Sequence, residues 1–433
     1  MFGLIKKTSV ELLVLCLGII CACGAGRKPT EASDQNNPGN ANQQRQKPGG
    51  IEEDPNRNAL VKGGNQFAID LYGKLRKDQA NKNLFFSPMS ISTAMGMVEA
   101  GARGKTAEEI ARTMHFTLPQ SQLHPACRSL LEIIQSPGEC ELSIANRLWA
   151  QRGHKFLEDF LNITKQQYGA ECGLVDFAGD SNGARLEINS WAAKHTRDRI
   201  RDLIRPGLLS TDTCLVLTNA IYFKGPWLKP FDARNTKLAS FFTDDGEKQV
   251  EMMTMKDPLC RYTEIEEEGL QILQKPYHGR QDLSMTILLP RREPESLAKL
   301  EAALSQDKLT TWSKQLKTQA VKVSMPKFQM ETYYSLKDQL SELGMPMAFT
   351  PKADFSGMDG TLELLLSFAV HKTFIAVDEK GTEAAAATAI GAKRGGKHPS
   401  SPPPEFRADH PFVFLISDNR TGSILFLGRF CDP

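Results

Sequence analysis

Ser181 lies in the run Gly179-Asp-Ser-Asn-Gly183, which fits the G-x-S-x-G pattern that holds a nucleophilic serine on a sharp turn between strand and helix. A strand-like run precedes the motif and a helical pattern follows it, so a serine hydrolase acting through Ser181 is one hypothesis. The chain contains 33 glycines, however, and so short a pattern arises easily by chance. The motif is therefore weak evidence for an enzyme.

Other patterns that could bind phosphate or metal are incomplete. Gly104-Lys105-Thr106 looks like the end of a phosphate-binding loop, but Glu99 occupies the position where that loop requires its first glycine. No HExxH signature or clustered carboxylates indicate a metalloenzyme. The cysteines beyond residue 23 form no CxxC pair and no zinc spacing; they are Cys127, Cys140, Cys172, Cys214, Cys260 and Cys431. We expect no metal and no cofactor. In an exported chain some of these cysteines can pair, Cys127 with Cys140 closing the shortest loop, but connectivity cannot be deduced from sequence.

Residues 379–404 (EKGTEAAAATAIGAKRGGKHPSSPPP) differ from their surroundings in composition and interrupt the pattern of helices and strands. Ile390 is their only large hydrophobic residue, a basic cluster follows it, and prolines end the segment, so we expect an exposed, mobile loop. Four consecutive alanines, 384–387, favour a helix by intrinsic propensity. A strand-like run at 373–377 nevertheless leads straight into them. This conflict is the most informative feature of the sequence.

Regular patterns surround this loop from residue 58 to the C-terminus. Residues 65–76 and 90–101 have apolar side chains at helical spacing. Strand-like runs, rich in β-branched and aromatic residues, occur at 214–223, 283–289, 321–325, 412–416 and 423–428. No second linker divides them. Residues 58–433 are therefore predicted to form one mixed α+β domain.

The N-terminus has the features of an export signal. Lys6 and Lys7 precede an apolar run at 12–22, too short to span a bilayer, so residues 1–23 are predicted to be a signal peptide. The run ends in a sequence similar to a bacterial lipobox, which makes Cys23 a lipidation candidate; an ordinary cleaved signal is the alternative. Residues 24–57 are predicted to be a disordered linker. The protein is expected to be secreted, or lipid-anchored at a bacterial membrane and facing outward.

Four motifs carry a resemblance to the serpin family over most of residues 58–433. They are residues 83–91 (NLFFSPMSI), 217–227 (LTNAIYFKGPW), 371–372 with 377–388 (HK, VDEKGTEAAAAT) and 406–416 (FRADHPFVFLI). The resemblance is to the inhibitory type of serpin. It implies an α+β fold of three β-sheets and about nine helices, with a reactive-centre loop held outside.

The resemblance also implies a mechanism. A serine protease attacks the loop and forms an acyl-enzyme; the cut loop then inserts into the main sheet as a new strand, and deacylation stalls because the oxyanion hole is distorted. The partner is then a protease held as a covalent complex, and the chain is a monomeric inhibitor rather than an enzyme. The formal net charge of +2 and the lack of a basic stripe argue against nucleic acid as a partner.

The site residues follow from matching positions. The hinge comprises Glu379, Lys380, Gly381, Thr382, Glu383, Ala384, Ala385, Ala386, Ala387 and Thr388. Gly381 can change its backbone angles freely, and every second residue from Thr382 onward is small and uncharged on one face, while Glu383 faces the other way. The resemblance assigns Ser87, Ser90, Asn219 and His371 to a shutter cluster under the opening sheet. It assigns Trp227 and Lys327 to the breach, where we predict an ion pair between Lys327 and Glu379.

The scissile bond is less well determined. Counting forward about sixteen residues from Glu379, the spacing that the resemblance to inhibitory serpins implies, lands on Gly395 next to Arg394. Counting backward from the loop exit at 403–405 lands near Ser400, because the loop is about five residues longer than usual for the family. We prefer Arg394–Gly395 and a trypsin-like target, whose specificity pocket holds a carboxylate. The bonds 393–394 and 397–398 are alternatives. A non-inhibitory serpin, acting as a carrier, chaperone or surface-interaction protein, is the alternative function.

Overall fold

The computed structural model of the chain describes residues 52–279, 282–383 and 402–433, with the side chains of 257–259 left out. Several predicted positions lie outside the described residues: the signal peptide with Cys23, most of the linker, the hinge residues Ala384, Ala385, Ala386, Ala387 and Thr388, and the proposed scissile pair Arg394 and Gly395. Within the described part, no helix combines the length and apolarity that a membrane span requires.

Ten α-helices lie in the described part of the chain. They are α1 (Pro55–Asp78), α2 (Pro88–Gly101), α3 (Gly104–Thr113), α4 (Gln120–Ile134), α5 (Glu158–Tyr168), α6 (Ser181–His195), α7 (Ser296–Ala303), α8 (Gln306–Gln315), α9 (Lys337–Leu343) and α10 (Ser356–Asp359). The predicted helices at 65–76 and 90–101 are confirmed as parts of α1 and α2. Ser87 caps α2 by accepting a hydrogen bond from the backbone N–H of Ser90.

Helix α1 begins earlier than expected, which corrects the linker boundary at residue 57. Asp54 accepts hydrogen bonds from the backbone N–H groups of Asn56 and Arg57, and Pro55 occupies the first helical turn, where its missing N–H costs nothing. The buried Arg57 side chain also donates to Ser129 Oγ at 3.1 Å. The polar composition of this stretch concealed a capped helix start.

Fifteen strands lie in the described residues. They are β1 (Leu84–Phe86), β2 (Glu141–Gln151), β3 (Gly173–Val175), β4 (Leu215–Pro226), β5 (Lys237–Thr243), β6 (Gly246–Ile265), β7 (Leu270–Pro276), β8 (Leu283–Pro290), β9 (Lys317–Pro326), β10 (Phe328–Ser335), β11 (Leu366–Val377), β12 (Gly381–Thr382), β13 (Glu405–Arg407), β14 (Phe412–Asp418) and β15 (Ser423–Phe430). The five strand-like runs and the run at 373–377 fall within these strands, except that Cys214 lies one residue before β4.

The described strands form two hydrogen-bonded sheets where three were expected. One has nine strands in the order β1-β15-β14-β8-β7-β6-β9-β13, with β5 paired to β6. The 20-residue β6 pairs with β9 on both sides of an irregularity between Asp257 and Cys260. This one long strand joins regions that would otherwise count as two sheets.

The second sheet has six strands in the order β10-β11-β12-β4-β2-β3. Its central strands β4 and β11 run parallel and pair directly, with His371 opposite Asn219. At the end where both strands finish, which we call the upper end, the two-residue β12 pairs with each of them in antiparallel fashion. The sheet is thus closed along most of β4 and β11 and opened at its upper end by the start of the hinge.

Helices cover both faces of the six-stranded sheet. A core of Trp149, Phe177, Ile188 and their neighbours packs α6 and the segment after it onto β2 and β4. Helix α2, every residue of which is buried, packs against β2, β4 and β15. Ser181 is the first residue of α6, and Asp180 caps that helix by accepting from Gly183 N at 2.7 Å. The G-x-S-x-G pattern is accounted for by a capped helix start.

Candidate functional site

The hinge begins in a tight turn after β11. Asp378 Oδ1 accepts hydrogen bonds from the backbone N–H groups of Lys380 at 2.8 Å and Gly381 at 3.1 Å, and Asp378 N donates to Gly381 O at 2.9 Å. An aspartate that binds the backbone two residues ahead is a common turn former. Gly381 has φ +157, and a Cβ atom there would lie 2.2 Å from Gly225 O. Only glycine lets the turn approach β4 this closely.

Thr382 is the first hinge side chain inside the sheet. It is fully buried, lies opposite Gly225 of β4 and Val377 of β11, and shares a 2.7 Å hydrogen bond with Tyr277 Oη. The sequence predicted a small, uncharged residue facing the core at this position, and the structure confirms that orientation for Thr382.

Glu383 directly follows β12. Its N–H still donates to Ala376 O at 2.8 Å, but its φ of +51 turns the chain out of strand geometry. Its carboxylate forms an ion pair with Arg199, which lies in the segment after α6. Burial raises the pKa of Glu383, and Arg199 partly opposes that rise. The ion pair links Glu383 to the segment after α6.

Trp227 braces the hinge turn from the end of β4. Its backbone N–H donates to Lys380 O at 2.9 Å, and its indole Nε1 donates to Asp378 O at 3.0 Å. The indole stacks on Tyr277, with ring centroids 4.6 Å apart and an interplanar angle of 12°. Trp227 therefore links the turn to the residue that holds Thr382.

The predicted ion pair between Lys327 and Glu379 is confirmed. Lys327 Nζ lies 3.6 Å from Glu379 Oε2 and 3.2 Å from a carboxylate oxygen of Glu251. Thr236 Oγ1 donates to Glu379 Oε1 at 2.7 Å. Burial alone raises the pKa of Glu379, but the hydrogen bond from Thr236 and the charge of Lys327 outweigh it and hold that pKa below its usual value.

The four residues predicted for the shutter lie together where α2 passes beneath β4 and β11. His371 Nε2 accepts from Ser87 N at 3.0 Å, and Nδ1 contacts Asn219 Oδ1. Since an N–H donates to Nε2 and an amide oxygen faces Nδ1, the ring is neutral with its proton on Nδ1. Asn219 Nδ2 donates to Ser90 Oγ at 2.6 Å, so one bonded chain joins both central strands to α2.

Asn146 of β2 is a further member that the motif comparison missed. Its Oδ1 accepts from Asn219 Nδ2, and its Nδ2 donates to Ser90 O at 3.2 Å. Asn146 lies directly opposite Asn219 in the pairing of β2 with β4. Two asparagines directly opposite each other in paired strands are the signal that would have found it, but this signal requires the strand register, which the sequence does not supply.

Comparison with known proteins decides the family. Residues 62–433 match the family model described as Serpin (serine protease inhibitor). A leukocyte elastase inhibitor from Xenopus tropicalis is 41% identical over 374 residues, which cover 85% of this chain and 97% of that protein. The chain belongs to the serpin family. The structure of uncleaved ovalbumin matches this serpin with a TM-score of 0.80 and 32% identity, covering 87% of this chain and 100% of ovalbumin. Human thyroxine-binding globulin complexed with thyroxine matches with a TM-score of 0.79 and 32% identity, covering 87% and 99%.

The buried histidine of this serpin predicts a pH dependence. Burial lowers the pKa of His371 from 6.5 to about 3, so the unfolded chain binds more protons than the folded one between these values. The stability that His371 contributes is complete above pH 6.5 and declines as the pH falls toward 3. Lowering the pH from 7 to 5 should cost about 2 kcal/mol more unfolding free energy in the wild type than in His371→Gln. Urea unfolding at both pH values tests this; equal losses would contradict it.

Cys127 and Cys140, which the sequence suggested as the shortest disulfide loop, are not joined to each other and carry free thiols. Cys127 is buried in α4, whereas Cys140, the residue before β2, donates from its Sγ to His278 O. Burial raises the pKa of both thiols to about 12, so they are protonated and poorly reactive at neutral pH.

Proposed function

We propose that this serpin inhibits a serine protease of trypsin-like specificity by covalent trapping, with Arg394–Gly395 as the scissile bond. One observation carries the proposal. The first hinge residues, Gly381 and Thr382, already form a strand between β4 and β11, with Thr382 buried in the sheet. The sheet thus accepts the hinge in the position and direction that full insertion requires.

The strand pairing supports continued insertion. β4 and β11 are parallel, and a segment entering between them antiparallel to both can bond to each along its length. Each residue inserted replaces one direct β4–β11 pair by two antiparallel pairs. The next hinge residues, 384–388, are alanines and a threonine, so no large or charged side chain obstructs their entry.

The basic residues of the loop support a trypsin-like target. Arg394 stands at the position that forward counting from Glu379 selects, and an arginine before the bond suits a pocket that holds a carboxylate. The names of the relatives point to more than one role, since one is an elastase inhibitor and another binds thyroxine. A carrier function is therefore the alternative that the experiment must separate.

Trypsin added to an excess of the mature chain should form a covalent complex that survives denaturing electrophoresis, with a released fragment that begins at Gly395. The Arg394→Ala variant should lose the complex, whereas the matched Lys393→Ala variant should keep it. Mass spectrometry of the released fragment identifies the bond. Cleavage after Arg394 without any complex would favour the carrier function. A fragment that begins at residue 394 or 398 would show that the scissile bond is 393–394 or 397–398 instead.

We also propose that the serpin acts outside the cell, either freely secreted or held at a bacterial membrane by lipid on Cys23. The support is the sequence of residues 1–57, in which a signal-like run ends at Cys23 and a polar linker follows. Labelling with a radioactive fatty acid, compared between the wild type and Cys23→Ala, decides between the two.

A further inference from the structure

Two buried polar atoms face each other between α2 and α4 of this serpin. Glu99 lies in the last turn of α2 and His124 near the start of α4, and each residue is 5% exposed. Glu99 Oε2 and His124 Nε2 lie 3.7 Å apart. Neither atom has a hydrogen-bond partner within residues 52–279, 282–383 and 402–433. Buried polar atoms without a partner destabilise a fold, and a single hydrogen bond between these two would satisfy both.

The other polar atoms of the two side chains are already bonded. Gln120 Nε2 donates to Glu99 Oε1 at 3.1 Å and to the backbone oxygen of Glu99 at 2.8 Å. His124 Nδ1 lies 2.7 Å from the hydroxyl oxygen of Tyr168, the last residue of α5. These bonds hold the two side chains on either side of the gap, and three helices meet at it.

The width of the gap indicates which ring nitrogen of His124 carries the proton. If Nε2 carried it, an N–H would point at an unpaired carboxylate oxygen, and such pairs close to about 2.7–2.9 Å. The separation of 3.7 Å instead fits two acceptors that face each other. The imidazole proton is then on Nδ1 and is donated to the Tyr168 hydroxyl. Tyr168 in turn donates to Cys127.

The charged and titratable neighbours of the pair come from α4, α5 and the turn after α2. They are Arg103, Cys127 and Tyr168. Burial raises the pKa of Cys127 to about 12 and that of Tyr168 well above its ordinary value, so both groups are neutral at neutral and acid pH. Arg103 stays charged, and its guanidinium donates to two backbone oxygens beside it. Between neutral and acid pH, the titrating groups at this point are therefore Glu99 and His124.

Glu99 takes up the first proton as the pH falls. Burial raises the pKa of Glu99, and the hydrogen bond from Gln120 and the charge of Arg103 oppose that rise only in part. Burial lowers the pKa of His124 to about 4, with Arg103 acting in the same direction. Once protonated, Glu99 Oε2 can donate to His124 Nε2, which closes the gap with a hydrogen bond between α2 and α4.

We propose that Glu99 and His124 form a proton-operated latch, which leaves α4 unfastened while Glu99 is ionised and fastens α4 to α2 when Glu99 is protonated. Helix α2 also carries Ser90 and is capped by Ser87, two members of the shutter cluster. The latch therefore acts on the helix that supports the closed sheet. The proposal does not depend on the proposed function, because it concerns the serpin before any protease cuts it.

The direction of the pH effect follows from the raised pKa of Glu99. Between 4.5 and that raised value, the folded chain holds a proton that the unfolded chain has released. This contribution to stability is complete below pH 4.5 and is lost as the pH rises through the raised pKa. His124 contributes in the opposite direction between pH 6.5 and about 4. Glu99→Gln keeps the histidine and mimics the protonated carboxyl, so comparing this variant with the wild type isolates the effect of Glu99.

Hydrogen exchange of the α4 amides, expressed as protection factors, tests the latch. The ratio of protection at pH 4.5 to protection at pH 7.5 should be at least about threefold larger in the wild type than in Glu99→Gln, and the variant should be the better protected of the two at pH 7.5. The matched control is His115→Gln, which removes a partly exposed histidine 2.6 Å from the carboxylate of Asp70. It should keep the wild-type ratio. Equal ratios in the wild type and Glu99→Gln, or loss of the response in His115→Gln, would overturn the latch.

Two spectroscopic measurements follow the proton itself. Nitrogen-15 NMR of histidine-labelled wild type should place the His124 proton on Nδ1 at pH 7.5, with Nε2 unprotonated. A proton on Nε2 at that pH would refute the two facing acceptors, even if Glu99→Gln failed to fold. The infrared difference spectrum between pH 7.5 and pH 4.5 should contain a carboxylic-acid band that Glu99→Gln lacks. If the two spectra are identical, Glu99 does not take up the proton and the latch does not exist.

Discussion

Trypsin should cleave the Thr382→Arg variant at the reactive loop and then be released active, with the covalent complex reduced at least about tenfold. Thr382 is fully buried between β4 and β11, where its hydroxyl bonds to Tyr277. An arginine there would place an unpaired charge in the sheet, at a cost of several kcal/mol. The hinge would leave the sheet, and insertion after cleavage would have to bury that charge again. The acyl-enzyme would then be hydrolysed before the cut loop could insert.

The matched control is Thr382→Val, which keeps the size and shape of threonine and loses only the hydroxyl. The hydrogen bond to Tyr277 is worth about 1 kcal/mol net, so this variant should still trap trypsin. Densitometry on denaturing gels, over a series of enzyme-to-serpin ratios, gives the fraction of each variant that forms covalent complex and the fraction that is only cleaved. If Thr382→Arg traps trypsin as well as the wild type, burial of this side chain is not needed for inhibition.

Part of the hinge arrangement could be predicted from the sequence. Small, uncharged residues in alternation indicated which face would be buried, and Thr382 lies as that pattern requires. The partner of Glu383 was not predictable. It is Arg199, in the segment after α6, and residues separated by so long a stretch of chain are brought together only by the fold.

The shutter and the N-terminal boundary show the same limit in different ways. Four cluster members were located by motif, but Asn146 was missed, because its place is fixed by strand register and by no local pattern. Helix α1 was predicted by apolar spacing, but its start at Pro55 was missed, because a cap and one buried arginine determine it. Periodicity locates elements well and identifies their ends and their partners poorly.

The number of sheets was mispredicted for a physical reason as well. The sequence separates strands by turn residues, and no local signal shows that β6 continues through an irregularity and pairs with β9 on both sides of it. The family resemblance implied a division into three sheets. Hydrogen bonding along one long strand removes one boundary, while the six-stranded sheet that receives the hinge is unaffected.

Replacing Trp227 by alanine should lower the free energy of unfolding by about 3–5 kcal/mol, the usual cost of emptying a buried aromatic site. Trp227 is 1% exposed and stacks on Tyr277. Its indole and backbone N–H groups donate to the carbonyl oxygens of Asp378 and Lys380, so loss of the ring also removes support from the hinge turn. We expect a second effect, a rise in the number of serpin molecules consumed per protease trapped.

Trp312→Ala is the matched control. This indole is equally buried and donates to Glu268, but it belongs to α8 and has no part in the hinge turn. Urea unfolding followed by far-ultraviolet circular dichroism should show comparable losses of stability in the two variants. Trypsin titration should show a rise in the number of serpin molecules consumed per protease trapped only for Trp227→Ala. If both variants alter the partition equally, general destabilisation explains the effect. If only Trp227→Ala does, the contact between the end of β4 and the hinge turn controls when the sheet opens.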